Sequence, residues 1–139
     1  MSSKIKFLTG VSTVTGSNFL LTTGAGTNIL IDCGLVQGER TASEENYLDF
    51  GFDISSISAL IISHSHLDHV GRIPKLVKEG YSGPIYSTPQ TKELARIVLE
   101  DAVQLLAVEA KERGVEPLYS EQDVPRIFDQ WKVVPYHEQ

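Results

Sequence analysis

The 139-residue chain predicts an α/β (α+β) domain, and three observations carry that prediction. Its first half holds short apolar runs of strand length, its second half holds helical patterns, and a dense polar cluster sits where the two meet. Apolar residues alternating or running over four to eight positions mark strands, whereas a 3.6-residue recurrence marks helices. Lys4 to Leu8 alternates as an edge or half-buried strand. Ser17 to Thr23 and Thr27 to Asp32 flank Gly24-Ala25-Gly26, the signature of a hairpin closed by a short glycine-containing turn. Ile29-Leu30-Ile31 is apolar without alternation and is expected to be buried on both faces. From Cys33-Gly34 to about Phe52 the composition predicts irregular surface loop, with a short helix around Glu44 to Asp49. Ser58 to Ser63 is a second buried strand.

The later elements follow the same logic. Ile73 to Lys78 reads as a helix stopped by Gly80, and Pro84 to Ser87 as a short strand punctuated by Pro89. Thr91 to Arg113 is the longest helix, with Leu94, Ile97, Val98, Leu105 and Leu106 expected near one face and Gly114 as its stop. Asp123 is the expected cap of a helix carrying Pro125 in its first turn, where a missing N–H costs nothing. Trp131 to Val134 begins a last strand.

Composition bounds what the chain can do. Hydrophobic content of 41% and charged content of 22% are ordinary for a globular domain, and 139 residues make one domain at most. No apolar stretch reaches membrane-span length, and the N-terminus is not a signal core. The single cysteine, Cys33, cannot form an internal disulfide and fits a reducing compartment, so a cytoplasmic location is expected. A net charge of −6 argues against a free-standing nucleic-acid binder, though not against an enzyme whose metal ions receive a phosphodiester.

The cluster is His64-Ser65-His66-Leu67-Asp68-His69, directly after the apolar run Ala59-Leu60-Ile61-Ile62 and before Gly71-Arg72. Imidazole nitrogen and carboxylate oxygen are the donors that zinc takes. Residues two apart on an extended segment project to one side, so His64 and His66 are expected to aim at one point. Asp68 and His69, after the bend, are expected to face a second point nearby, which suggests two adjacent metals. A solvated polar loop with incidental histidines is the bland alternative, and the strand–loop–helix context disfavours it.

His64-x-His66-x-Asp68-His69 after an apolar strand resembles the metal signature of metallo-β-lactamase fold hydrolases. Further pieces resemble the β-CASP branch of that family: Gly10-x-x-x-Val14-Thr15-Gly16-Ser17, Ile31-Asp32-Cys33-Gly34-x-x-Gln37-Gly38, Gly71-Arg72-Ile73-Pro74-Lys75-Leu76, Gly83-Pro84-Ile85-Tyr86-Ser87-Thr88-Pro89 and Pro117-Leu118-Tyr119. The resemblance implies a four-layer αββα sandwich with metals at one edge. It implies a nuclease that hydrolyses RNA, and in some members DNA, through a metal-activated water. It assigns His64 and His66 to one zinc and Asp68 and His69 to a second, with Asp68 also orienting the water. Asp32 would act from behind the ligands, accepting a hydrogen bond from a ligand imidazole. A strand-end turn carboxylate is the plainer reading of Asp32.

Thr15, Gly16 and Ser17 either shape the loop beside the site or make a tight turn. Arg72 either meets substrate phosphate or is a solvated helix-start charge. Cys33 is expected to be a small buried residue, and His137 a surface-turn residue. No substrate-binding residue is assignable. Family members complete their sites with a third histidine, a bridging aspartate and a further histidine, and carry an inserted β-CASP domain. None of these is reached by Gln139, so residues 1–139 are expected to be the N-terminal part of a metallo-β-lactamase domain, an incomplete αββα sandwich. RNA is the expected partner through the complete enzyme, and self-association is expected from the unfinished sandwich. The alternatives are a non-catalytic metal-binding or assembly module and a metallo-β-lactamase hydrolase of another substrate class.

Overall fold

The computed structural model describes residues 1–38 and 44–137. Its strands are β1 (Lys4–Thr9), β2 (Asn18–Thr22), β3 (Asn28–Ile31), β4 (Ile57–Ile61), β5 (Ile85–Ser87) and β6 (Trp131–Val133). Among the described residues they form one six-stranded sheet in sequence order. β1 to β3 pair antiparallel through short connections, whereas β3 to β6 run parallel. The helices are α1 (Leu67–Val70), α2 (Ile73–Lys78), α3 (Pro89–Arg113) and α4 (Val124–Asp129). Parallel pairing requires crossovers, and the helices lie in the β4–β5 and β5–β6 crossovers.

The register separates the sheet into two unlike faces. Leu20, Leu30, Leu60, Ile85 and Trp131 lie in line across β2 to β6. Leu30, Leu60, Ile85 and Trp131 are buried in a core with Ile73, Leu76, Leu99, Leu106 and Ile127 of the helices. One step along each strand, side chains turn to the other face. There Phe7, Phe19, Ile31, Ile61 and Tyr86 form the matching row. Phe7 is 61% exposed and Ile61 43% exposed. Phe7 and Phe19 meet edge to face at 5.5 Å. The expectation that Ile29-Leu30-Ile31 is buried on both faces is therefore corrected, as is that of a buried strand over Ser58–Ser63, since β4 spans Ile57–Ile61 and mixes buried and exposed residues. Leu30 is buried while Ile29 and Ile31 are half-buried, because among the described residues helices cover only one side.

The long helix also differs from its expected face. It begins at Pro89 behind the cap Thr88, whose hydroxyl accepts from the Thr91 N–H at 3.3 Å. It ends at Gly114, with φ of 68° and its N–H directed to Ala110 and Lys111 carbonyls. Its buried face is Thr91, Ala95, Leu99, Ala102, Val103, Leu106 and Ala110. Of the five residues expected near one face, Leu106 is buried and Val98 packs against the core, whereas Leu94, Ile97 and Leu105 are exposed. Small alanines let the helix lie close to the core, with Leu99, Val103 and Leu106 filling the space between them.

The stretch after β3 is less superficial than its composition predicts. Leu35 and Val36 are buried, and Asn46 clasps Val36 by accepting from its N–H and donating to its carbonyl, each at 2.8 Å. Of the helix expected over Glu44–Asp49, helical geometry is present at Glu44 and Glu45 only, followed by a turn. The loop expectation for residues 39–43 lies outside the described residues. Asp123 occupies the cap position of α4 without capping it; its carboxylate accepts instead from Ser120 N–H at 2.9 Å and Ser120 Oγ at 3.0 Å. The last strand stops at Val133, one residue short of its expected extent.

Candidate metal centre

β3 and β4 end side by side, and the chain then breaks from regular pairing at Asp32 and Ser63. Asp32 continues the ladder through its N–H to Ile61 O at 2.9 Å, then turns with φ of 57°. A left-handed backbone is costly for most residues, and Asp tolerates it better than most. The turn leaves the Asp32 side chain 3% exposed at the strand end. Ser63 to His66 have no regular secondary structure, His66 is extended, and α1 follows immediately.

Three short segments are laced together beneath α1. Ser17 N–H bonds Asp68 O at 2.8 Å, Cys33 N–H bonds His69 O at 2.8 Å, and Leu35 N–H bonds Leu67 O at 3.1 Å. Gly34 lies at the closest point, where a Cβ would sit 1.6 Å from Asp68 O. Only glycine fits there, which explains why the Asp32-Cys33-Gly34 run belongs to the same site as the histidines. The second loop is held as well: Thr15 Oγ1 donates to Gln37 O at 2.9 Å and accepts from Gln37 N–H at 2.8 Å. Thr9 Oγ1 donates to the carbonyl of Gly16. Thr15 and Gly16 thus shape the loop, whereas Ser17 Oγ reaches Asp32 Oδ2 at 3.3 Å.

The histidine rings gather above this scaffold. The His64 and His69 ring centres are 3.9 Å apart, and those of His64 and His66 are 4.8 Å apart. His69 Nδ1 is 2.7 Å from Asp32 Oδ2, and its Nε2 is 3.5 Å from Asp68 Oδ2. The structure therefore brings His64, His66, Asp68 and His69 together, with Asp32 behind His69. Among the described residues, no three such donors are gathered closely enough to hold an ion as the side chains stand. Burial, followed by the neighbouring His69 and His66, lowers the pKa of His64 below its ordinary 6.5, against opposing pulls from Asp32 and Asp68. The shift favours neutral His64, the form in which an imidazole nitrogen can bind a metal.

Other candidates fall away from the cluster. Arg72 is neither solvated nor turned to the site: it is 3% exposed, donates from Nε to Gly34 O at 2.9 Å, and lies 5.0 Å from the Phe50 ring centre. Cys33 is buried, and burial raises its thiol pKa to about 12 despite Arg72 and Lys75 nearby. His137 is exposed in a turn with φ of 66°. Ser63 is the residue that sequence reasoning missed. Its N–H bonds Asp32 Oδ1 at 2.8 Å, and its Oγ lies 2.8 Å from Asp32 Oδ2 and 3.0 Å from His64 Nδ1. Its one signal was position, a small hydroxyl residue between the strand and the first histidine.

The chain belongs to the metallo-β-lactamase superfamily, whose family model matches residues 12–137. Its relatives include proteins named as a ribonuclease, a transcription termination factor and a cleavage and polyadenylation specificity factor subunit. It is 42% identical over 125 residues to Ribonuclease TTHA0252 of Thermus thermophilus, covering 90% of this chain and 26% of that protein. It is 37% identical over 123 residues to Transcription termination factor FttA of Cenarchaeum symbiosum, covering 87% and 18%. It is 30% identical over 130 residues to Cleavage and polyadenylation specificity factor subunit 3-I of Arabidopsis thaliana, covering 93% and 18%. The chain thus spans about a quarter or less of the length of these relatives. No helix among the described residues is long and apolar enough to cross a membrane.

Proposed function

We propose that these residues form the N-terminal part of a zinc-dependent nuclease of the β-CASP type, which hydrolyses RNA phosphodiester bonds. The observation that carries this reading is the meeting of His64, His66, Asp68 and His69 at the β4–α1 junction, with His69 held from behind by Asp32. Relatives named as ribonucleases and cleavage factors support RNA as the substrate class. A single buried cysteine supports a cytoplasmic setting.

The donor set fits zinc. His64 and His66 would hold one ion, and Asp68 and His69 a second. Bound there, two zinc ions would supply an acidified water and positive charge against the scissile phosphate. The chain's own residues set up that chemistry. Asp32 accepts a hydrogen bond from the Nδ1–H of neutral His69, which leaves the Nε2 lone pair free beside Asp68. Asp68 is placed at the start of α1 by the Ser17 and His69 backbone contacts, and would orient the water that attacks.

A chimera tests the reading. Residues 12–137 would replace the matching part of the Thermus ribonuclease, and cleavage of labelled single-stranded RNA would be measured with zinc. Cleavage lost on His66→Ala is the expected result; a folded, zinc-loaded chimera that leaves RNA intact would overturn it. The uncovered apolar sheet face favours a second reading, a non-catalytic assembly module, and that second result would support it.

A further inference from the structure

We propose that Ser63 is a positioning residue that locks His64 in the Nδ1–H tautomer and joins it, through Asp32, to His69. The inference rests on the metal-centre reading above for its meaning, but its geometry stands without any ion.

A serine hydroxyl has one proton to give and lone pairs to accept with, while an ionised carboxylate only accepts. Ser63 Oγ lies 2.8 Å from Asp32 Oδ2, 3.0 Å from His64 Nδ1 and 3.3 Å from His69 Nδ1. If its proton went to His64, an oxygen lone pair would face the carboxylate at 2.8 Å with nothing between them. The charged acceptor also makes the stronger bond. The proton therefore goes to Asp32, and Ser63 Oγ can only accept from His64. That fixes the proton of neutral His64 on Nδ1 and leaves Nε2 with its lone pair.

His69 reaches the same state by a direct route. Its Nδ1 is closest to Asp32 Oδ2, at 2.7 Å, so that nitrogen carries the proton and Nε2 is free. Asp32 also accepts from Ser63 N–H on Oδ1 and lies 3.3 Å from Ser17 Oγ, so its orientation is set on both oxygens. His64 and His69 belong to different ions in the proposed function. One carboxylate and one hydroxyl thus present the same nitrogen from both.

Long-range proton–nitrogen NMR on the full chain, labelled at histidine and free of metal, reads the tautomers directly above pH 7.5. In the unaltered chain, His64 and His69 are both expected as Nδ1–H. Ser63→Ala should leave His69 unchanged, because Asp32 keeps the backbone N–H of residue 63, and should release His64 toward Nε2–H. Ser63→Thr should restore it. Zinc titration should show affinity reduced roughly tenfold or more in Ser63→Ala, the usual effect of losing a group that orients a ligand, with recovery in Ser63→Thr. His64 found as Nε2–H in the unaltered chain, or as Nδ1–H in Ser63→Ala, would overturn the proposal. So would equal disturbance of both histidines that threonine does not repair, since Ser63 would then only hold the loop. Tautomers as expected in a chain that binds no zinc would uphold the Ser63 assignment while the metal reading fails.

Discussion

Asp32 accepts from Ser63 N–H, Ser63 Oγ, His69 Nδ1 and Ser17 Oγ while almost wholly buried, so its loss strands several donors at once. Asp32→Ala is expected to destabilise the fold by about 3 kcal/mol, the scale for unpaired buried donors, with a further contribution from an alanine held at positive φ. Asp32→Asn keeps an acceptor oxygen and tolerates the left-handed backbone, so it should cost less stability than alanine. It should still weaken zinc binding by roughly 10- to 100-fold. Urea titration and calorimetry separate the two effects; equal stability losses would show that backbone conformation contributes nothing here. Cys33 carries a second prediction at this scale. Its folded pKa, about 12, is raised above the ordinary 9.0, chiefly by burial. The folded state therefore holds its proton longer than the unfolded chain. Its contribution is complete below pH 9 and declines as pH rises from 9 toward 12. Thiol reagents at pH 8 should label the chain only in denaturant, and prompt labelling of folded protein would contradict the buried assignment. The candidate donors were legible from their spacing, because His64, His66, Asp68 and His69 fall within six consecutive residues. Ser63 was not, because a serine acquires this role only when Asp32, 31 residues away, is folded beside it.

The elements were found more reliably than their faces. Ile73–Lys78 has its expected bounds, and Gly114 ends the long helix as expected. Alanine carries little hydrophobic signal, so a pattern search weights Leu94, Ile97 and Leu105 above Ala95, Ala102 and Ala110. Close packing favours the opposite choice, because a small side chain lets the helix approach the sheet. Paired substitutions on α3 follow from this. Leu99→Ala, on the buried face, should cost about 2–5 kcal/mol, whereas Leu105→Gln, on the exposed face, should change stability by no more than about 0.5 kcal/mol. Denaturant midpoints for the two variants measure the contrast. A large loss at Leu105 would mean that its side chain is covered in solution by something beyond the described residues.

At the scale of the molecule, the described residues cover the sheet on one side and leave it open on the other. The β2–β3 hairpin, the positions of the strands and the helices were readable from runs, turns and periodicity, whereas the parallel pairing of β3 to β6 was not. Exposure of the second face in the middle of the sheet was foreseeable only from the resemblance to a two-sheet sandwich, since Ile29-Leu30-Ile31 and Ser58–Ser63 by themselves read as buried. Ile5, Phe7 and Ile61 are exposed there, with Phe19, Leu21, Ile29 and Ile31 half-buried between them. Contiguous exposed apolar surface favours association, and a β1 edge beside it gives a further pairing line. The 139-residue chain is therefore expected to bind hydrophobic dyes and to sediment above its monomer mass of 15.3 kDa. Phe7→Ser with Ile61→Thr should lower both signals, because these substitutions remove apolar area without touching the row of Leu30, Leu60 and Ile85 on the other face. Sedimentation velocity and dye fluorescence on the two chains provide the comparison. A monodisperse monomer of the unaltered chain, melting cooperatively above about 60 °C, high for a mesophile domain, would show that the open face carries no such cost. Association that persists unchanged in the double variant would move its origin to the exposed α3 residues Leu94, Ile97 and Leu105.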